Sequence, residues 1–233
     1  WGERTMSLRP GDRTELKPGM TFHFMTGLWL EELTTPYYAF IDAGFEVTIV
    51  SVKGGEVPID PRSLTDDEKA KSSVQRYLED ADGLKKALAD TGELTSVSAD
   101  GFDAIFFPGG HGPMFDFPGN QQLDRLIEAF DRANKIVSAV CHGPVALIGA
   151  KKPDGAPFVA GKKVSAFTNS EEDNGGIGDA VPFYLVTRLE ELGANYEAAP
   201  DFQPKAVRDG NLITGQNPQS AESTALLIVS ALS

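Results

Sequence analysis

Cys141 is the only cysteine among 233 residues. It stands between an apolar, β-rich run, Ile136-Val137-Ser138-Ala139-Val140, and the triplet His142-Gly143-Pro144. A Gly-Pro pair suits a helix start, because proline's fixed φ and missing N–H cost nothing in the first turn. The spacing therefore predicts that Cys141 sits on a sharp strand-to-helix turn, laid out like the nucleophile elbow of the serine hydrolases. Backbone N–H groups and the positive end of the helix dipole favour negative charge at such a place, and a thiolate is such a charge. A lone cysteine beside valines is otherwise a small buried hydrophobe. Packing alone has no need of His142, Gly143 and Pro144 directly afterwards, and that neighbourhood points to a reactive thiol.

Other chemistry-bearing residues are few. The histidines are His23, His111 and His142, so no Cys/His cluster occurs at zinc spacing and no internal disulfide can form. No structural metal is expected, and His23 reads as a surface or packing residue. Pro108-Gly109-Gly110-His111-Gly112-Pro113 follows the wholly apolar Ala104-Ile105-Phe106-Phe107. Glycines at the carboxyl end of a buried parallel strand let main-chain N–H groups approach a ligand. The spacing matches neither of the common phosphate loops, so an oxyanion donor and a plain turn both stay open. Glu31 and Glu32 begin a helical pattern, where the dipole accounts for one carboxylate; Glu32, soon followed by Pro36, is left over.

The elements that must position these residues follow from periodicity. Leu33, Tyr37, Phe40 and Ile41 recur at helical spacing up to Gly44, and 45–51 reads as a strand. From Thr65 to about Ala89 the chain is charged and helical, as two helices or a broken one, with Val74, Tyr77, Leu78, Leu84 and Leu88 as its apolar stripe. Strand 104–107, a helix over 120–134 and the Cys141 strand then alternate in the manner of a parallel sheet with right-handed crossovers. Ligands bind such sheets beyond the carboxyl ends of the strands, where Gly110 and Cys141 both fall. A hairpin arm is expected over 151–162, a strand over 163–168, a loop over 169–173 and a helix over 179–192. Asp209-Gly210 then signals a hairpin, and a last helix is expected to be capped by Ser220 with Glu222 in its first turn.

Acidic residues number 34 against 21 basic, a net charge of −13, so a nucleic-acid backbone or anionic membrane would repel the chain. No run of about 18 apolar residues occurs, and residues 1–25 show no charged-then-apolar signal pattern. These features predict a soluble, cytoplasmic protein. Residues 1–25 read as an irregular arm, and 26–233 as one domain with an insertion at about 60–95.

Taken in order, Thr26-Gly27 through Glu32 and Pro36, Pro108-Gly109-Gly110-His111-Gly112, Ala139-Val140-Cys141-His142-Gly143-Pro144, Phe167-Thr168-Asn169-Ser170-Glu171-Glu172 and Gly215-Gln216-Asn217-Pro218 resemble the ThiJ/PfpI superfamily. That superfamily shares a flavodoxin-like core with class I glutamine amidotransferases. The insertion and the 151–162 arm resemble the branch holding the heat-shock chaperone and the glutathione-independent glyoxalases. The resemblance implies an α/β fold: a flavodoxin-like parallel sheet sandwiched by helices, with a small helical insertion and a hairpin arm. One departure is the N-terminus, where only Phe22–Met25 or Thr5–Leu8 could stand in for the family's first strand.

The resemblance also implies roles. Cys141 becomes a nucleophile, and thiol chemistry then requires its pKa to be lowered. Glu32 becomes a protonated partner of the sulfur and a proton shuttle, His142 an acid/base, and Glu172 the acid that orients it. The N–H groups of Gly110 and His142 become an oxyanion hole, while Glu171 is expected to be a solvated neighbour. The activity implied is a cysteine-dependent glyoxalase III-type lyase (D-lactate dehydratase) acting on methylglyoxal or a similar 2-oxoaldehyde, without cofactor or metal, in a homodimer. Alternatives are a stress-related holdase chaperone or protein deglycase, and a cysteine amidase or peptidase using Cys141, His142 and Glu172.

Overall fold

The structure, a computed structural model, describes residues 27–176, 178 and 181–233. The expected arm, its candidate strands, His23 and Thr26 lie outside the described residues. In chain order the elements are α1 (Leu30–Asp42), β1 (Val50–Ser51), α2 (Asp66–Lys69), α3 (Ser72–Glu79), α4 (Leu84–Ala89), β2 (Gly92–Glu93), β3 (Ala104–Phe107), α5 (Pro113–Asp116), α6 (Gln121–Arg132) and β4 (Ile136–Val140). They continue with β5 (Lys163–Val164), α7 (Asn169–Asn174), α8 (Leu185–Glu191), β6 (Asn195–Tyr196), β7 (Ala206–Asp209), β8 (Leu212–Gly215) and α9 (Ala221–Leu232).

The main sheet runs β3-β4-β8-β7, parallel across its first three strands and closed by the antiparallel hairpin β7–β8 at Asp209-Gly210. β4 lies in its middle, buried along its whole length, as continuous apolar strands of parallel sheets are. α6, capped by the Asn120 side chain, lays Leu123, Leu126, Ile127 and Phe130 on one face. α9 covers the other with Ile228 against Ile136 and Ile213, beside Phe40 of α1. The fold class is the α/β arrangement expected, with helices on both sides of a parallel sheet.

The insertion builds its own small core, in which Val74, Tyr77, Leu84 and Leu88 close over Leu30, Leu33 and Tyr38. It is broken into three short helices, and Leu78, assigned to the apolar stripe, is 38% exposed. The Asp80 carboxylate causes one break by accepting from the N–H groups of Gly83 and Leu84 at 2.9 and 3.0 Å, so it opens α4 instead of continuing α3.

Several boundaries differ from expectation. Strand 45–51 is reduced to β1, whose described partner β2 is only two residues long. Strand 163–168 is reduced to β5, because the N–H of Ser165 donates to the Thr214 hydroxyl of β8 instead of to a main-chain carbonyl. The loop at 169–173 is the helix α7, started by a capping box in which Thr168 Oγ1 accepts from Glu171 N–H and the Glu171 carboxylate accepts from Thr168 N–H. α8 starts at Leu185 rather than near 179; Pro182 disfavours helical geometry at the residue before it. Ser220 does not cap α9: its hydroxyl donates to Asn217 Oδ1 at 2.7 Å and accepts from Lys205 N–H at 3.0 Å.

Candidate active site

Cys141 occupies the residue after β4 with φ +60°, a left-handed conformation uncommon outside glycine. The backbone is held there from both sides. Its N–H donates to Gly215 O of β8 at 3.0 Å, and its carbonyl accepts from Phe167 N–H at 3.0 Å. A 3₁₀ helix, Gly143–Ile148, follows directly. The thiol is buried, and the N–H groups of Gly110 and His142 both donate towards it.

The glycine loop after β3 comes close enough to do this only because it lacks side chains. A Cβ on Gly109 would meet Glu32 Oε2 at 2.5 Å and His142 N at 2.7 Å, and Gly110 adopts φ +88° against the main chain of Gly27 and Trp29. The register Phe107↔Ala139 explains why these two loops meet, since β3 and β4 end side by side.

Glu32 projects from the first turn of α1 and is fully buried. Its Oε2 accepts from Gly109 N–H at 2.8 Å. Its Oε1 has no hydrogen-bond partner among the described residues, and the Cys141 thiol is the neighbouring side chain that acts most on the carboxyl. Burial pushes the Glu32 carboxyl well above the usual carboxylate range, against the hydrogen bonds from Cys141 and Gly109. The thiol is also pushed up, first by burial and then by Glu32, while the N–H groups of Gly110 and His142 oppose this. That direction corrects the expected lowering of the cysteine pKa: the helix start and the two N–H groups are outweighed because the sulfur is out of water and beside a carboxyl. Burial thus favours the protonated form of both groups.

His142 Nδ1 lies 3.3 Å from Sγ, and Nε2 lies 2.6 Å from Glu172 Oε2. The ring sits between His111 and Phe167, at centroid distances of 4.2 and 4.6 Å. Burial lowers the His142 pKa, against the Glu172 hydrogen bond. For Glu172 itself burial acts upward, but hydrogen bonds from His111 and His142 outweigh it and hold the carboxyl at about 2. Glu172 is therefore an anion and both facing Nε2 atoms carry protons. His142 Nδ1 is then left free to accept one.

The structure thus brings together Cys141, His142, Glu32 and Glu172 with the N–H groups of Gly110 and His142. Sequence reasoning missed His111, whose Nε2 lies 2.9 Å from Glu172 Oε1. Its place at the carboxyl end of a buried strand, in the same glycine loop as Gly110, was the available signal. Glu171 is the other revision, for it is fully buried and not solvated. It accepts from Thr168 N–H at 2.9 Å, Phe202 N–H at 2.7 Å, Asn217 Nδ2 at 2.7 Å and Gln216 Nε2 at 3.2 Å. The donor atoms of His111, His142 and Glu172 lie within 4.8 Å of one another, a closeness that sequence spacing does not show. Their contacts have hydrogen-bond lengths, with protons between nitrogen and oxygen where a cation would have to sit, and we assign no metal to them.

Comparisons with known proteins agree with this layout. The DJ-1/PfpI family matches residues 22–231. The glutathione-independent glyoxalase HSP31 of Saccharomyces cerevisiae is 31% identical, over 89% of this chain and 90% of that protein. Rapid Encystment Protein 24 kDa of Francisella tularensis superimposes with a TM-score of 0.84 at 41% identity, covering 89% of this chain and 91% of that one. Glyoxalase III of Candida albicans superimposes with a TM-score of 0.82 at 28% identity, covering 88% of each chain.

Proposed function

The chain belongs to the DJ-1/PfpI family, and on that premise we propose that it is a glutathione-independent glyoxalase converting methylglyoxal to D-lactate through a hemithioacetal on Cys141. One observation carries the reading: a second buried carboxyl, Glu32, neighbours the Cys141 thiol in addition to the His142–Glu172 chain. An amide hydrolase needs only the Cys141, His142 and Glu172 chain. Isomerising an aldehyde also needs a group that takes a proton from carbon and returns it to the neighbouring carbon, and Glu32 supplies it. The buried thiol, 3% exposed, suits a three-carbon substrate better than a glycated protein side chain.

Sγ bonds the aldehyde carbon as its proton passes to His142 Nδ1, and Glu172 stabilises the imidazolium. Glu32 gives its proton to the new alkoxide, which the N–H groups of Gly110 and His142 stabilise as it forms. The resulting carboxylate takes the hydrogen from the same carbon. His142 returns its proton to the adjacent oxygen, giving an enediol. His142 then takes the proton of the first oxygen while Glu32 protonates the second carbon from one face, giving a lactoyl thioester of single handedness. Water loses one proton to Glu32 as it attacks the carbonyl, the departing sulfur regains its proton from His142, and lactate leaves with release of one proton.

The test is D-lactate production from methylglyoxal without glutathione. We expect Glu32→Gln to reduce it by roughly 10²–10³-fold. Glu32→Gln at wild-type activity would overturn the reading and direct attention to amide substrates.

A further inference from the structure

Glu172 is the shared acceptor of two histidines whose outer nitrogens face different chemistry. His142 Nδ1 faces a thiol, which can give or take a proton. His111 Nδ1 lies 3.0 Å from Nη2 of Arg62. A guanidinium has five N–H donors, no acceptor, and does not deprotonate in proteins, so His111 Nδ1 must present a lone pair to it. The ring's single proton is then on Nε2, facing the ionised Glu172. A second proton on His111 would set two donors and two cations against each other at that distance.

Arg62 cannot easily turn away to relieve this. It forks onto buried Asp60, with Nε donating to Oδ1 at 3.0 Å and Nη2 to Oδ2 at 2.5 Å. Asp60 is itself fixed, its N–H donating to Leu28 O at 2.9 Å and its Oδ1 accepting from Arg62 N–H at 2.9 Å. The titratable and charged groups around His111 are Arg62 and Asp60 from the turn at 60–64, Glu172 from α7, and His142 and Cys141 from the elbow, with Glu32 of α1 beyond the sulfur.

We propose that Arg62 is a positioning residue that fixes His111 as a neutral, Nε2-protonated donor to Glu172, so that His142 alone of the two rings can take up a second proton. The consequence for chemistry rests on the glyoxalase reading: with His111 donating permanently to one oxygen, Glu172 stays a carboxylate when His142 is protonated, and the proton goes forward to substrate. The insertion thus reaches the site through its first turn.

The test pairs ring-nitrogen NMR with kinetics on the full chain at neutral pH. In the wild type, His111 should show a protonated Nε2 and an unprotonated Nδ1. Arg62→Met should add signal from protonated Nδ1. Arg62→Lys should do the same while keeping a cation on Asp60, which guards against a variant that merely fails to fold. His111→Gln keeps a carbonyl towards Arg62 and an N–H towards Glu172 but cannot carry a proton; its kcat should fall roughly 3-fold, against roughly 30-fold for His111→Leu. A protonated Nδ1 in the wild type, an unchanged His111 signal in both Arg62 variants, or His111→Gln falling as far as His111→Leu would overturn the proposal. Lack of turnover on methylglyoxal alongside the expected ring signals would sink the proposed reaction and leave the hold of Arg62 on His111 standing.

Discussion

Glu171 and Glu172 are neighbours in sequence, both buried at the start of one helix, and they serve two different regions of the site. Glu171 meets a nest of main-chain N–H groups and amides from Thr168, Phe202, Gln216 and Asn217. None of those donors titrates. Glu172 meets two imidazoles, beyond which lie a thiol and a guanidinium. A carboxylate saturated by fixed donors pins backbone in place, whereas one facing rings that exchange protons controls where protons go. Burial alone does not distinguish the two; the chemistry of the partners does.

The sharpest break between the regions is expected at the sulfur. Cys141→Ser should lower D-lactate formation by about 10³-fold or more while leaving the thermal midpoint close to wild type; equal loss of both would merge the two regions. Next, Glu172→Gln should cost roughly 10²–10⁴-fold in kcat, because an amide no longer holds His142 in its Nε2-protonated form. Glu171→Gln should do the reverse, costing roughly 2–3 kcal/mol in urea unfolding, since it sets an amide N–H among donors, with kcat of the folded fraction within about 3-fold of wild type.

Acid sensitivity divides the regions too. The Glu172 carboxyl is held at about 2 against an ordinary value of 4.5, so the unfolded chain takes up its proton first as pH falls. The stability this contributes is full above pH 4.5 and is lost between 4.5 and about 2, on the order of 2–3 kcal/mol. Urea titrations across that window should show it vanish in Glu172→Gln. His142 is shifted below 6.5, so the acid limb of kcat/KM should lie below pH 6.5, where the ring can no longer accept the thiol proton. The smallest effect is expected at Thr168→Ala, about 1 kcal/mol from loss of the cap on α7. A larger drop in kcat than in stability there would show that the cap also aims Glu172.

Much of the region around Glu172 was legible in the chain. The apolar run at 136–140 ending at Cys141-His142-Gly143-Pro144 signals an elbow from local chemistry alone, and the ordered motifs carried Glu32, Glu172 and Gly110. What escaped was whatever depends on contacts between distant segments. His111 and Glu172 are 61 residues apart, and Glu171 meets Asn217 across 46. The helix α7 was readable, since Thr168-x-x-Glu171 is a capping-box pattern, but the polar string Asn169–Asp173 lacks the apolar stripe by which helices are usually found. The direction of the Cys141 pKa was missed because helix position and N–H donors are visible in sequence while desolvation is not.

The elbow has a consequence on a different timescale from catalysis. The N–H of Cys141 is bonded to β8 and its carbonyl to the chain entering α7, so this turn residue is tied into the middle of the sheet. Its amide hydrogen meets solvent deuterium only when the bond to β8 opens, so it is expected to exchange with the strands instead of with the loops. The side chain proposed as the nucleophile thus hangs from a peptide group bonded on both sides, and its placement should last as long as those bonds do.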